Sequence, residues 1–287
     1  MEARELKNTP NTEESTEIDW AMKLFSKSVL KQAKLKNLLL GLGGNFDNSA
    51  LLDLGSDNGV ISYKLRALGG TWSSADLTAE VVESIKSLVA ERVYLIDGKS
   101  LPFKDAEFDK IVVVDMLEHI EDERRFISEL HRITKPGGAL ILNTPNLKPF
   151  SLLRAFRHLI GQTDEKHGHL RPGYGKLEIE KVCAEHFELE RTWTYSRFFA
   201  EAIDTGIVCA YGLLKKLKGE GSEAKENEIP KEEISKGLVV TQEGLKSFEK
   251  QFKLYALIYP IVSAVSKLDL LLKPLSGFMR LSVLKRF

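Results

Sequence analysis

The sequence predicts an α/β fold in which a largely parallel sheet is flanked by helices on both faces. Three observations carry that expectation. Short apolar runs of strand length alternate with segments of helical period over residues 51–195. The first run, Leu51-Leu52-Asp53-Leu54, closes on the turn Gly55-Ser56-Asp57-Asn58-Gly59, whose two glycines let the backbone pass close to a ligand. Four successive strands also end in an aspartate, Asp53, Asp76, Asp97 and Asp115, which lines up carboxylates along one edge of the sheet. In open parallel sheets that carboxyl edge is the ligand crevice.

Residues 1–17 are polar and acidic with no apolar core, and are expected to be a frayed tail, not a secretory signal. Thr16 and Asp19 then form a capping-box-like pair before the apolar set Ile18, Met22, Phe25, Val29 and Leu30. This predicts one amphipathic helix ahead of strand one, with Lys23, Lys27, Lys31, Lys34 and Lys36 on a solvated face. The glycine turn opens a helix that buries Ile61, Leu65 and Leu68. Residues 71–75 form strand two, 80–90 a helix, 92–96 strand three and 111–114 strand four. A helix over 121–134, with Phe126, Ile127, Leu130 and Ile133 apolar, stops at Lys135-Pro136-Gly137-Gly138. Strand five is 139–143, a helix covers 177–186, and the alternation of Leu189, Arg191, Trp193 and Tyr195 marks strand six over 188–195. Strand seven is 280–285.

Residues 196–276 are a long insertion before the final strand. Its first part, 198–214, is apolar. Residues 215–237 alternate Lys and Glu around glycines and Pro230 and are expected to be a mobile surface loop. Residues 252–275 are apolar again. Glu201 and Asp204 interrupt the first apolar stretch, and Pro260, Lys267 and Asp269 the second, so neither is expected to cross a bilayer. They could cap a pocket as paired helices, or lie on a membrane surface with Lys215, Lys216, Lys218, Lys267 and Lys273 toward lipid headgroups. Either arrangement implies an apolar site and a lipophilic or amphiphilic substrate.

The ordered motifs LLDLGSDNG (51–59), Asp76, Asp97 with LPFKDAEFD (101–109), VVVDMLEHI (112–120), KPGGALILNTPN (135–146) and GFMRLSVLKRF (277–287) resemble class I S-adenosylmethionine-dependent methyltransferases. The resemblance implies a Rossmann-like seven-stranded sheet with strand seven antiparallel beside strand six. The core would span residues 18–195, with the insertion at 196–276 and the last core strand at 277–287. It implies S-adenosylmethionine as cofactor, bound by Asp53, Gly55, Ser56, Asp57, Gly59, Asp76, Leu77, Asp97, Gly98, Asp115 and Met116. Asp76 would take the ribose and Asp97 would lie near the adenine. The family most often carries glycine where Asp57 stands; Asp tolerates positive φ, so the turn survives.

Methyl transfer needs an acceptor atom placed against the methyl carbon and, for oxygen, removal of its proton. Glu118 and His119 follow strand four, and His119 is the side chain nearest its pKa at neutral pH, so His119 is the expected general base. Capping the turn is its structural alternative. The segment DMLEHI also resembles ubiquinone-type O-methyltransferases, which implies a divalent cation at Asp115, Glu118 and His119 as an alternative to a metal-free site. Asn143, Asn146, His167, His169, Arg171 and Tyr174 are the expected acceptor contacts, with Arg171 able to clamp a carboxylate or phosphate.

At 287 residues, 43% hydrophobic, the chain can bury a full core. Lys plus Arg and Asp plus Glu are each 41, and this balance argues against a nucleic-acid partner, which would need a basic stripe. Cys183 and Cys209 show neither disulfide nor zinc spacing, which suits a reducing cytoplasm, with the inner face of the membrane as the alternative setting. The sequence thus points to a small-molecule methyltransferase, O-directed and acting on a lipophilic or quinone-like acceptor. N- or C-directed transfer and an inactive, partner-recruiting cofactor binder are the alternatives. A nicotinamide enzyme is disfavoured because the turn lacks three-glycine spacing.

Overall fold

The structure, a computed structural model, describes residues 20–44, 46–148, 153, 169–217 and 242–287. The expected tail, the Thr16 and Asp19 cap pair, residues 218–237 of the expected charged loop and His167 lie outside them. Strands β1 (Ala50–Leu54), β2 (Thr71–Asp76), β3 (Val93–Leu95), β4 (Phe108–Val114), β5 (Thr134–Pro145), β6 (Phe187–Tyr195) and β7 (Met279–Arg286) form one sheet in the order β3-β2-β1-β4-β5-β7-β6. The first five strands pair in parallel, and β7 runs antiparallel between β5 and β6. The chain winds outward from β1 to β3 and then restarts on the other side at β4. That reversal puts a crevice at the carboxyl ends of β1 and β4.

The helices are α1 (Val29–Leu42), α2 (Val60–Arg66), α3 (Ala79–Val89), α4 (Glu123–Ile133), α5 (Lys176–Cys183), α6 (Phe198–Leu217) and α7 (Gln242–Ser266). The two-residue period of the strands divides the core between the faces of the sheet. Leu52, Leu54, Ile111, Val113, Leu140 and Leu142 pack with Phe126, Ile127 and Leu130 of α4 on one face. On the other, Leu51, Val112, Val114 and Ile141 meet Leu38 and Leu42 of α1 and Ile61 and Leu65 of α2. Runs buried on both sides read as continuous apolar strands, as β4 does.

Two segments depart from expectation. The single helix ahead of β1 is two: residues 20–26 are helical, the chain breaks at Lys27, and α1 restarts with Ser28 as N-cap, its hydroxyl accepting from the Lys31 amide at 3.3 Å. A serine whose oxygen serves an orphan N–H favours a helix start over a helix interior. The Lys135–Gly138 stretch does not merely stop α4 but lies within β5. Phe108 pairs with Thr134 and Lys110 with Ala139, so residues 135–138 bulge opposite Asp109, with Gly137 at φ 69°.

The two ends of the insertion are tied together at one buried carboxylate. Asp269, in a 3-10 turn over Lys267–Leu270, accepts from the amides of Arg197 (2.6 Å), Phe199 (2.8 Å) and Ala200 (3.3 Å), so it caps α6 from some seventy residues downstream. In turn, α7 packs on the N-terminal helices. Trp20 sits edge-on to Phe252 at 5.3 Å, Tyr255 donates to the Lys27 carbonyl at 2.8 Å, and Gln32 donates to the Tyr259 hydroxyl at 2.7 Å. Replacing Asp269 by Ala strands one buried and two half-buried amides and should lower unfolding free energy by about 1–3 kcal/mol in urea melts. An unchanged midpoint would show that the cap carries no weight.

Candidate active site

The turn after β1 is held by exclusion. Gly55 has φ 81°, and a Cβ there would lie 2.1 Å from the Val114 carbonyl oxygen; Gly59 has φ 79°, and its Cβ would lie 2.8 Å from the Ile85 Cα. Only glycine allows the turn to press against β4 and α3 at once. Asp57 adopts φ 54°, so the carboxylate at the usual glycine position is accommodated in the left-handed region.

Asp53, expected to touch the cofactor, is instead the brace behind this turn. It is fully buried and absent from the cleft wall. Ser62 and Ser74 donate to it at 2.6 and 2.7 Å, Ser56 donates to it as well, and Arg66 stands 3.6 Å away. Burial pushes its carboxyl up, while the three hydroxyls and Arg66 pull it back. Its period-2 position points it into the layer beneath the turn.

The cleft beyond the turn has a volume of about 290 Å³. Gly55, Ser56, Asp57 and Asn58 form one wall; Asp76, Leu77 and Thr78 a second; and Asp115, Met116 and His119 the floor. Lys31 and Lys34, read from sequence as a solvated face, close it from α1. Lys31 pairs with Asp57 at 2.8 Å, and Lys34 pairs with Asp115. Sequence reasoning placed these lysines on the right helix but could not see which way the broken helix turns. The acidic wall overcomes desolvation and raises the Lys34 pKa, Asp115 being the main cause.

Asp97 and Gly98 do not reach this cleft. Asp97 is exposed and accepts from the amides of Lys99 and Ser100 at 2.8 and 3.0 Å, so it folds its own loop. Asp76 does reach it. Its Oδ1 accepts from the Leu77 amide at 2.7 Å, and burial pushes its carboxyl up to about 6, with Asp57 and Asp53 adding repulsion.

The floor concentrates titratable groups. Asp115, at φ 45°, accepts from Asn143 at 2.7 Å as well as from Lys34. Glu118 is fully buried, and neither of its carboxylate oxygens has a hydrogen-bond partner. Burial, and then the Asp115 charge, raise its pKa well above the usual range. The His119 ring meets His169 edge-on at 4.8 Å, and ligand atoms of Glu118, His119 and His169 lie within 4.8 Å of one another. The expected set Asp115, Glu118 and His119 is not the one that groups in this way. The Asp115 carboxylate already serves Lys34 and Asn143, and His169 stands in its place.

Most expected acceptor contacts turn inward. Asn143 is buried and takes the Tyr195 hydroxyl on its oxygen; Asn146 donates to Ser276 and to the Gly277 carbonyl, pinning β7. Arg171 clamps protein, not substrate, reaching the carbonyls of Ile120 (2.5 Å) and Glu121 (2.9 Å) and the Glu123 carboxylate (3.1 Å). Tyr174 is buried and donates to Glu123 at 2.7 Å. Polar residues near a carboxyl edge look alike in sequence whether they serve ligand or loop. Of the five that are described, His169 meets the His119 ring and Asn143 holds Asp115 from behind.

A sheet reversal with a glycine turn, an aspartate closing β2 and an acidic floor defines an α/β domain built for a cationic, nucleoside-bearing cofactor. Residues 52–142 match the family described as a methyltransferase domain, and this match supports a class I S-adenosylmethionine-dependent methyltransferase. Over 168 residues it is 26% identical to the malonyl-[acyl-carrier protein] O-methyltransferase of Hamiltonella defensa, covering 58% of this chain and 64% of that one. Over 105 residues it is 30% identical to the ubiquinone biosynthesis O-methyltransferase of Xanthomonas oryzae pv. oryzae, covering 34% and 44%. The matches thus span less than two thirds of these curated relatives. The solved structure of the [4+2]-cyclase SpnF is similar with a TM-score of 0.55 at 15% identity, over 89% of this chain and 82% of that one. That likeness shows the fold, and the scaffold alone does not specify the reaction.

The cleft's chemistry fits S-adenosylmethionine. Asp57, Asp76 and Asp115 oppose its positive sulfur and ammonium, Lys31 and Lys34 suit its carboxylate, and apolar Leu77 and Val81 flank Asp76. Holding Asp76 ionised costs stability, because its folded pKa of about 6 exceeds the ordinary 3.8; the cost is full above about pH 6 and fades as pH falls toward 3.8. Asp76→Asn should therefore stabilise the free protein by about 1–3 kcal/mol at pH 8, with the gain vanishing near pH 4, in urea melts at both pH values. The same substitution should weaken S-adenosylmethionine binding by a similar about 1–3 kcal/mol in calorimetry. Equal stability at pH 8 would contradict the assigned strain.

Proposed function

We propose that the protein transfers the methyl group of S-adenosylmethionine to an oxygen of a small lipophilic or quinone-like acceptor. The observation that carries this reading is His119 on the floor of the acidic cleft, beside the buried Glu118. Oxygen as target is supported by the two curated relatives, both named O-methyltransferases. The apolar insertion packed on the helices that wall the cleft, and the ubiquinone-pathway relative, support the acceptor class. Zero formal charge supports a small acceptor over a nucleic acid.

The cofactor supplies a methyl group on a positively charged sulfur, open to in-line displacement. The chain's own residues do the rest. Gly55, Ser56, Asp57 and Gly59 would receive the amino-acid part, Asp76 would accept from the ribose hydroxyls, and Leu77 and Met116 would line the cofactor. His119 takes the proton of the acceptor hydroxyl as its oxygen attacks, which makes the nucleophile without a free hydroxide. Glu118 behind it is pushed toward protonation by burial and by the Asp115 charge, which limits the negative charge next to His119.

Glu118's unpartnered oxygens favour one second reading: a divalent cation held by Glu118, His119 and His169 that orients a catechol-like acceptor. Labelled-donor assays with alkylated catechols decide between the two. In the first reading His119→Ala keeps cofactor affinity, lowers kcat by about 10²–10⁴-fold and activity survives chelator. Loss of activity on chelation, restored by Mg²⁺ or Zn²⁺, selects the second. Donor binding with no transfer to any acceptor would contradict both.

A further inference from the structure

The outer face of α7 has its polarity reversed. Leu254, Leu257, Ile258, Ile261 and Val265 recur at helical spacings of three and four, continued by Leu268 in the following turn, and each is exposed, Leu257 at 77% and Ile261 at 67%. The opposite face carries Phe252, Tyr255 and Tyr259, and these contact the N-terminal helices. At the end of the helix the corner continues the apolar surface with Leu270, Leu271 and Leu275, Leu271 being 78% exposed. Scattered apolar residues are ordinary on a protein surface; a continuous stripe with a built inner face is not.

The exposed charge of this segment has one sign. Within residues 252–275 the cations are Lys253, Lys267 and Lys273, all exposed, and the single acid is Asp269, which is buried and spent on capping α6. An aliphatic face whose own segment exposes only ammonium groups suits an interface of acyl chains beneath anionic headgroups. No helix among the described residues is long and apolar enough to cross a membrane, and Pro260 interrupts the α7 hydrogen-bond ladder, so the helix suits lying in the interface plane.

We propose that the outer stripe of α7 and the Leu270–Leu275 corner form a docking surface for an anionic lipid bilayer. The inner face of the same helix holds the N-terminal helices, and these carry Phe25, Lys31 and Lys34 into the cleft. Docking would therefore hold the helices that wall the cleft close to the bilayer, where a lipophilic acceptor is concentrated. This deepens the proposed function through its acceptor, but its own basis is the surface, and it can fail separately.

Flotation of the full-length protein with vesicles of phosphatidylcholine, with and without about one third phosphatidylglycerol, tests it. The expected result is flotation with the anionic vesicles that weakens with salt. The double substitution Leu257→Glu and Ile261→Glu should weaken it by at least about tenfold, and Lys267→Glu with Lys273→Glu by a smaller factor. S-adenosylmethionine affinity by calorimetry should stay unchanged in both variants, which shows that they fold. Absence of flotation at low salt overturns the proposal. So does a dimer in sedimentation velocity that the Leu257→Glu and Ile261→Glu variant disperses, since a second copy would then cover the stripe. Failure of methyl transfer with intact flotation would sink the acceptor reading and leave the docking surface standing.

Discussion

The site depends on one close approach: the turn after β1 lies so near the end of β4 that a methyl group at Gly55 would overlap the Val114 carbonyl. Because the sheet reverses at these two strands, that approach brings the turn, the end of β2 and the segment after β4 around one space. Asp53 secures the turn from below through three serine hydroxyls, so an acid that sequence would assign to the ligand serves the scaffold. A buried carboxylate satisfied this fully is difficult to substitute, since each lost donor is left without water.

The same space is costly for the charges it holds. Asp57, Asp76, Asp115 and Glu118 crowd the turn and floor, and two of them, Asp76 and Glu118, are pushed toward protonation by burial. Lys31 and Lys34 relieve part of this by pairing with Asp57 and Asp115 across the opening. A cationic ligand entering here competes with those ammonium groups for the carboxylates, so affinity and free-state stability draw on the same pairs. Destabilised charge at a functional site is the usual cost of keeping groups ready for chemistry.

Much of the fold was legible because burial on both faces of a parallel sheet leaves unmistakable apolar runs, such as Ile111–Val114, closing on acids. The glycine turn and Asp76 were legible for the same reason: their backbone and spacing requirements are local. What sequence could not settle depended on direction. Ser28 turns one expected helix into two and swings Lys31 and Lys34 into the cleft. Asn143, Asn146, Arg171 and Tyr174 stand at the correct edge yet bond to the protein's own loops. His169 gave little local signal, and its place beside His119 is held by the Leu170 amide on the Glu118 carbonyl at 2.9 Å.

The helical insertion links the cleft to the surface through the two faces of α7, but the cleft itself is the claim on which the rest depends. A crystal structure with S-adenosylmethionine at saturating concentration tests it most directly. The expected result is the ligand against Gly55, its ribose hydroxyls on the Asp76 carboxylate, and its positive charge sharing Asp115 with Lys34. An empty cleft, or a ligand bound elsewhere on the chain, would contradict it.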